Sequence, residues 1–319
     1  MIRPSPGAVR TCRSAREDGR VLVCCGLVTL DVVQVVDALP GPDEKVVARS
    51  LAATFGGPAA NAAATAVALG VPTTLVTAVG HGPLAVVVRS ELESSGVELV
   101  DAVDGAAGVA GPAQPAVSTV LVTRATGERA VVSTNASGFG DLADARLVGP
   151  GRTTDLLDEL GPGDVLLLDG HHPGLALRVA RRARERGCAV VLDGGSWKPD
   201  APAMIGLCDA VVVSADFRPP GIATDDVLDA VAALGPRFVA RTRGPRPVEV
   251  LDAGERYEVA VPRPGRVVDT LGAGDVVHGA FAAAVARGSS WRAALEDAVL
   301  VASRSVEHAG ARGWSAATS

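Results

Sequence analysis

The sequence predicts an α/β domain: a mostly parallel central sheet with helices on both faces, and a small β-sheet appended to it. Three observations carry this. From residue 150 onward, short apolar runs alternate with helical segments, the pattern of a parallel sheet covered on both sides. The strand-like runs are continuously apolar, as strands buried on both faces are. Two patches, near 32–54 and near 98–135, read as strands outside that alternation and supply the small sheet. With 319 residues and 48% hydrophobic content, the chain has ample material for one large core.

Residues 1–20 contain Arg3, Arg10, Arg13, Arg16 and Arg20 but no apolar run, and read as a disordered tail, not a signal peptide. Residues 21–28 are a buried strand, and Asp31 follows its carboxyl end. Ligands of open α/β sheets bind at that edge. Asp31 there either grips substrate hydroxyls or is a turn residue. Gly56-Gly57-Pro58-Ala59-Ala60-Asn61 opens an alanine-rich helix that closes at Gly70. Paired glycines let backbone approach a ligand closely, and Asn61 offers both a donor and an acceptor. The same residues also suit a tightly packed helix start.

A strand at 74–79, an amphipathic helix at 84–95 and a strand at 97–103 come next, and 118–123 with 129–133 read as a hairpin. The regular part runs helix 153–160, strand 164–169, helix 175–187, strand 189–193, strand 209–213, helix 225–234 and strand 238–241. A hairpin of 248–251 with 257–261 follows, and 315–319 read as a second tail. His171 and His172 end a strand on alternate faces, a poor chelate that reads as surface or structural ahead of a substrate contact. His278 reads as a packing residue.

The stretch Asp269-Thr270-Leu271-Gly272-Ala273-Gly274-Asp275 lies between a strand-like run and an alanine-rich helix. A Gly-Ala-Gly turn feeding a helix leaves N–H groups unpaired, and with the helix dipole they form an anion site. Asp275 puts a carboxylate at the same helix start. An anion cradle beside a base suits phosphoryl transfer to a hydroxyl. Taken alone, the stretch is better read as a glycine-rich turn with Asp275 as a helix cap.

Composition excludes several classes. A net charge of −6 and a pI near 5.4 offer no basic field for nucleic acid, and 3% aromatics leave few platforms for stacking bases. No run of eighteen apolar residues is present, so no membrane span is expected. Cys12, Cys24, Cys25, Cys188 and Cys208 form no CxxC pair, which fits a reducing, cytoplasmic setting.

The 269–275 stretch resembles the second signature of the ribokinase-like (PfkB) sugar kinases. Gly56-Gly57-x-x-x-Asn61 with Leu69-Gly70 resembles the family's N-terminal signature, and the resemblance spans residues 21–314. It implies a ribokinase-like three-layer α/β sandwich whose small β-sheet is a lid over a sugar site. It implies ATP-dependent phosphorylation of a hydroxymethyl group on a small sugar or sugar-like substrate. Asp275 would be the base, with the N–H groups of Gly272, Ala273 and Gly274 as anion hole. Asp31, Gly56, Gly57 and Asn61 would bind the sugar. Thr242 and Gly244 match the family's Thr-x-Gly beside the nucleotide phosphates, and residues 299–313 would border the adenine. Residues 306–312 resemble a loop that binds a monovalent cation through carbonyls, so K+ and a cation-site or structural role for Asp269 are implied. A homodimer through the lid is implied as well.

Departures from the family pattern fall on the nucleotide and metal side. Ser214-Ala215-Asp216-Phe217 stands where an Asn-x-x-Glu is expected, leaving Asp216 as the candidate Mg2+ contact. Val276-Val277 replaces Ala-Phe or Thr-Phe, Gly80-His81-Gly82 replaces Gly-x-Asp, and Pro247 replaces a glycine. A nucleoside kinase of the same fold, or a weakened family member that binds sugar or nucleotide as a regulator, are the competing readings. The intact Gly272-Ala273-Gly274-Asp275 argues against the regulator, and the scarcity of aromatics against the nucleoside kinase.

Overall fold

The structure, a computed structural model, describes residues 20–104, 114–140, 142–149 and 154–315. The two expected tails fall outside these residues apart from Arg20 and Ser315, as do Thr153 and residues 105–113 of the second strand patch.

In chain order the elements begin with β1 (Leu22–Cys25), β2 (Thr29–Val36), β3 (Ser50–Gly56), α1 (Pro58–Ala68), β4 (Thr73–Thr77), α2 (Pro83–Ser94) and β5 (Glu98–Asp101). Then come β6 (Ala116–Thr123), β7 (Arg129–Ser133), α3 (Leu156–Glu159), β8 (Val165–Leu168), α4 (Pro173–Glu185) and β9 (Ala189–Gly194). The chain continues through α5 (Ala201–Ile205), β10 (Ala210–Val213), α6 (Val227–Ala232), β11 (Phe238–Arg243), β12 (Arg246–Asp252) and β13 (Glu255–Val259). It closes with α7 (Ala273–Ala286) and α8 (Trp291–Ser305).

The large sheet has the order β13-β12-β11-β10-β9-β8-β1-β4-β5. Strands from β11 through β5 are parallel, while β12 and β13 add an antiparallel edge. The continuous apolar runs are explained by two-sided burial. Leu22 and Cys24 of β1 join the core under α1, α7 and α8; Val23 and Cys25 join the opposite core under α4, α5 and α6. Both faces of β1 are fully buried, so the strand has no polar side to show. The described cysteines, Cys24, Cys25, Cys188 and Cys208, are free and buried, behaving as small apolar residues.

A separate four-stranded sheet has the order β3-β2-β6-β7. One expectation is corrected here. Residues 98–101 do not belong to the small sheet; they form β5, the edge of the large one, parallel to β4. Leu99 packs toward one core and Val100 toward the other, which a one-sided lid strand could not provide. Asp31 is also not a turn residue. It lies within β2, opposite Thr54 of β3 and Ser118 of β6. Among the described residues no helix is long and apolar enough to cross a membrane.

Helices α1 and α7 pack closely. A Cβ on Gly279 would lie 2.4 Å from the Ala62 carbonyl oxygen and 2.8 Å from the Thr65 Cβ. The α1 sequence is rich in buried alanine, at 59, 60, 62 and 63. Small residues on both helices let the backbones approach, and that approach brings the two glycine motifs together.

Candidate active site

The N-terminus of α7 is built by a left-handed residue. Gly272 has φ 72°, and a Cβ there would sit 2.4 Å from the Ala311 Cβ, so both its conformation and its surroundings require glycine. Among the described residues, the N–H groups of Gly272, Gly274 and Asp275 take no backbone or side-chain acceptor, whereas Ala273 N–H makes a long 3.3 Å turn bond to the Thr270 carbonyl. Space beside Gly274 is open: a Cβ built there would meet no atom within 4 Å. Open donors at the start of a 14-residue helix are suited to an anion.

Asp275 lies at this helix start, half-buried, and its Oδ2 accepts a 2.7 Å hydrogen bond from Asn61 Nδ2. This bond joins the two sequence motifs across 214 residues. Burial raises the Asp275 carboxyl above the ordinary carboxylate range and the neighbouring Asp193 charge adds to it; the Asn61 bond and His278 oppose the rise.

The residues expected to bind the acceptor converge on the same edge. Asp31 accepts a 2.6 Å bond from the Thr29 hydroxyl, and its carboxylate lies against Gly56, where any Cβ would be 1.9 Å from Oδ2. Burial raises the Asp31 carboxyl, against its hydrogen bonds with Thr29 and Ser118. Gly57 adopts φ 94° against the Leu27 carbonyl. The structure adds a residue that the motifs do not contain. Arg312 donates from Nη1 to the Phe55 carbonyl and to Asn61 Oδ1, both at 2.8 Å, and from Nη2 to the Thr54 hydroxyl. Its guanidinium lies 3.6 Å from the Phe55 ring centroid, a cation–π contact. Asn61 is therefore held at both ends of its amide, by Asp275 and by Arg312, which fixes which atom is oxygen.

Asp169 follows β8 and organises the floor of the site. It accepts from the Leu27 N–H at 2.8 Å, the Ala59 N–H at 3.1 Å and the His171 N–H at 2.9 Å, tying β1, α1 and its own turn together. Burial alone would raise its pKa; the His171 ring, 3.1 Å away, and these N–H donors hold it well below the ordinary range instead. His171 is thus a partner of Asp169. His172 is buried with φ 50°, its ring edge against Phe139, and burial lowers its pKa to about 4. His278 is buried as expected of a packing residue, but its ring nitrogens face Asp193 and the Val212 carbonyl.

The residues expected beside the nucleotide, Thr242 and Gly244, lie on β11 and its turn. Thr242 is half-buried, its hydroxyl 3.4 Å from the Val213 carbonyl, and Gly244 is exposed with φ 63°. Asp216 is exposed, its own N–H held by the Ser214 hydroxyl at 3.1 Å. Among the described residues no three His, Cys, Asp or Glu side chains gather into a group able to hold a metal ion. Asp216 on its own is no divalent-metal cage. Asp269 is engaged through both carboxylate oxygens. Its Oδ1 meets the Arg129 guanidinium and the Leu271 N–H, and its Oδ2 accepts from Gly310 N–H at 2.9 Å. Donors already surround both oxygens, and Arg129 supplies the positive charge that a cation would. Asp269 thereby fastens the small sheet, the glycine turn and the C-terminal loop to one another.

The model of the pfkB family carbohydrate kinases matches residues 20–317. The chain belongs to this family. It is 31% identical over 268 residues to an ATP-dependent ribose-1-phosphate kinase of Halopiger xanaduensis, spanning 82% of this chain and 83% of that one. It is 25% identical over 302 residues to a ribokinase of Bacillus subtilis, spanning 92% and 95%. The fold is that of the Arabidopsis thaliana ribokinase solved with ribose and ATP, with a TM-score of 0.71 over 92% of this chain and 94% of that one, at 20% identity. The chain is thus a carbohydrate phosphotransferase with a ribokinase-like fold: a large, mostly parallel sheet between helices and a smaller separate sheet.

Proposed function

We propose that this pfkB-family protein transfers the γ-phosphoryl group of ATP to a hydroxymethyl group of ribose or a ribose-like sugar. Asp275 takes the proton from the acceptor hydroxyl. The N–H groups at the start of α7, from Gly272 to Gly274, hold the charge that develops on the transferring phosphoryl. The observation that carries this reading is the 2.7 Å bond from Asn61 to Asp275. It sets the acceptor-side motif and the phosphate-side motif against one carboxylate, beside open helix-start donors. Proton transfer in a loose phosphoryl-transfer transition state is late, so a carboxylate suffices as base. Preorganised N–H donors in a dry crevice supply the larger share of the acceleration.

Asp31, Gly56, Gly57 and Asn61 line the sugar side; Thr242 and Gly244 line the nucleotide side. Mg2+ would enter with the nucleotide, with phosphate oxygens and water supplying most of its ligands and Asp216 the candidate protein contact. The relatives that act on ribose and on ribose 1-phosphate make these the first acceptors to try.

The test measures ATP consumption over a panel of ribose, ribose 1-phosphate, hexoses and nucleosides. Turnover is expected with a sugar, and Asp275→Asn is expected to lower kcat by about 10²–10⁴-fold with ATP and sugar affinity nearly retained. An Asp275→Asn enzyme within a few-fold of wild type sinks the assignment of the base. Ligand binding without turnover of any acceptor would make the protein a regulator instead.

A further inference from the structure

Behind Asp275, one turn along α7, lies a buried pair that the phosphoryl-transfer reading does not use. His278 is 4% exposed and Asp193, at the end of β9, is 6% exposed. The His278 Nε2 is 3.1 Å from the Val212 carbonyl oxygen of β10. A carbonyl only accepts, so Nε2 carries the hydrogen. That leaves Nδ1 bare in a neutral ring. Yet Nδ1 lies 3.2 Å from Asp193 Oδ2, and the Gly274 carbonyl also acts on the ring. A bare nitrogen lone pair against an ionised carboxylate oxygen, away from water, is repulsive and leaves both groups unpaired.

We propose that Asp193 and His278 together hold one proton at neutral pH, so that the pair is electrically neutral and Asp275 is the group free to ionise. The proton lies on Asp193 or on Nδ1; either arrangement removes the clash. The pair is a positioning element and touches no reacting atom. It rests on the reading of Asp275 as base only for its consequence, not for the proton count. The charged and titratable groups whose fields reach it are Asp169 and His171 just after β8, Lys198 after β9 and Asp275 on α7. Burial, then the Asp169 charge, push Asp193 up to about 8, and burial lowers His278, both consistent with a neutral pair. Above that pH the pair loses its proton, and a second negative charge appears beside Asp275 where a phosphoryl group must arrive.

Two measurements test this. The first is 15N spectroscopy of the imidazoles in the wild-type protein, which needs neither turnover nor a variant. His278 is expected to keep Nε2–H and to show an Nδ1 that is hydrogen-bonded or protonated, unchanged between about pH 5.5 and 7.5. A bare Nδ1, or an ordinary titration near 6.5, overturns the proposal. The second is the pH profile of kcat/KM for Asp193→Asn, whose amide copies the protonated acid and can donate to Nδ1. At pH 7 the variant is expected within about threefold of wild type, and the wild-type fall above about pH 8 should be absent. A loss of about 100-fold at pH 7, or an alkaline fall that persists, overturns it. Failure of Asp275→Asn to lower turnover would instead count against the base, and leaves the spectroscopic result standing.

Discussion

Replacing Asn61 with alanine tests the coupling between the two motifs. The variant removes the 2.7 Å bond that Nδ2 donates to Asp275. A hydrogen bond to a charged group contributes about 1.5–3 kcal/mol, and one pKa unit corresponds to about 1.4 kcal/mol. The full loss would therefore raise the Asp275 pKa by about 1–2 units. Water can reach the half-buried carboxylate and replace part of the bond, so the lower end, about one unit, is expected. The sign follows from which form the bond favours. Asn61 stabilises the ionised base; without it, Asp275 stays protonated to higher pH. The acid limb of kcat/KM, which reports free-enzyme pKa values, should move upward by about one unit. Arg312 also loses an acceptor, so the sugar KM rises, lowering the plateau without moving the limb. The assay is kcat/KM against pH for both enzymes. An acid limb displaced by less than about 0.3 unit, with the plateau lowered, would refute the coupling and leave Asn61 as a sugar contact only.

Two further substitutions probe the scaffold. Gly279→Ala adds a Cβ that would lie 2.4 Å from the Ala62 carbonyl, so α1 and α7 must part; about 3 kcal/mol of destabilisation and a Tm lowered by about 6 °C are expected by thermal unfolding, with kcat reduced as Asn61 leaves Asp275. An unchanged Tm would mean that the helices are not in this contact. Arg129→Ala removes the ion pair from β7 to Asp269; with both side chains about a quarter exposed, about 1 kcal/mol and a roughly fivefold rise in sugar KM are expected, shrinking at high salt, with kcat kept. Equal KM values at low and high salt would show that the pair does not hold the small sheet over the site.

Which parts were legible in sequence follows from the range of the interactions involved. The parallel sheet was legible because two-sided burial leaves a local mark, an uninterrupted apolar run such as 165–168. Gly272 was legible because a left-handed turn at a helix start demands glycine at that position. The assignment of 98–101 failed because four residues, half of them apolar, look the same at the edge of either sheet. Arg312 was invisible for another reason. Its partners, Thr54, Phe55 and Asn61, lie more than 250 residues away, and nothing near Arg312 in sequence marks it as their anchor. Asp269 left a structural and a cation-site role both open, because nothing local shows that Arg129, 140 residues distant, reaches it.

Five carboxylates gather on one edge of the molecule, and their surroundings divide the work. Asp169 receives three backbone N–H groups and is held ionised as a structural anchor. Asp269 is surrounded by Arg129 and two N–H groups. Asp193 faces the His278 ring. Asp31 is bonded to Thr29 and pressed against Gly56. Asp275 has one carboxylate oxygen held, by Asn61, and its other oxygen without a hydrogen-bond partner among the described residues. It is also the one that stands at a helix start with open N–H donors and has its pKa raised toward the range where a base works. A base must be placed but not consumed by its neighbours. Asp275 meets that condition on the proposed reading, which predicts that a variant giving its open oxygen a permanent donor would bind sugar and ATP yet turn over slowly.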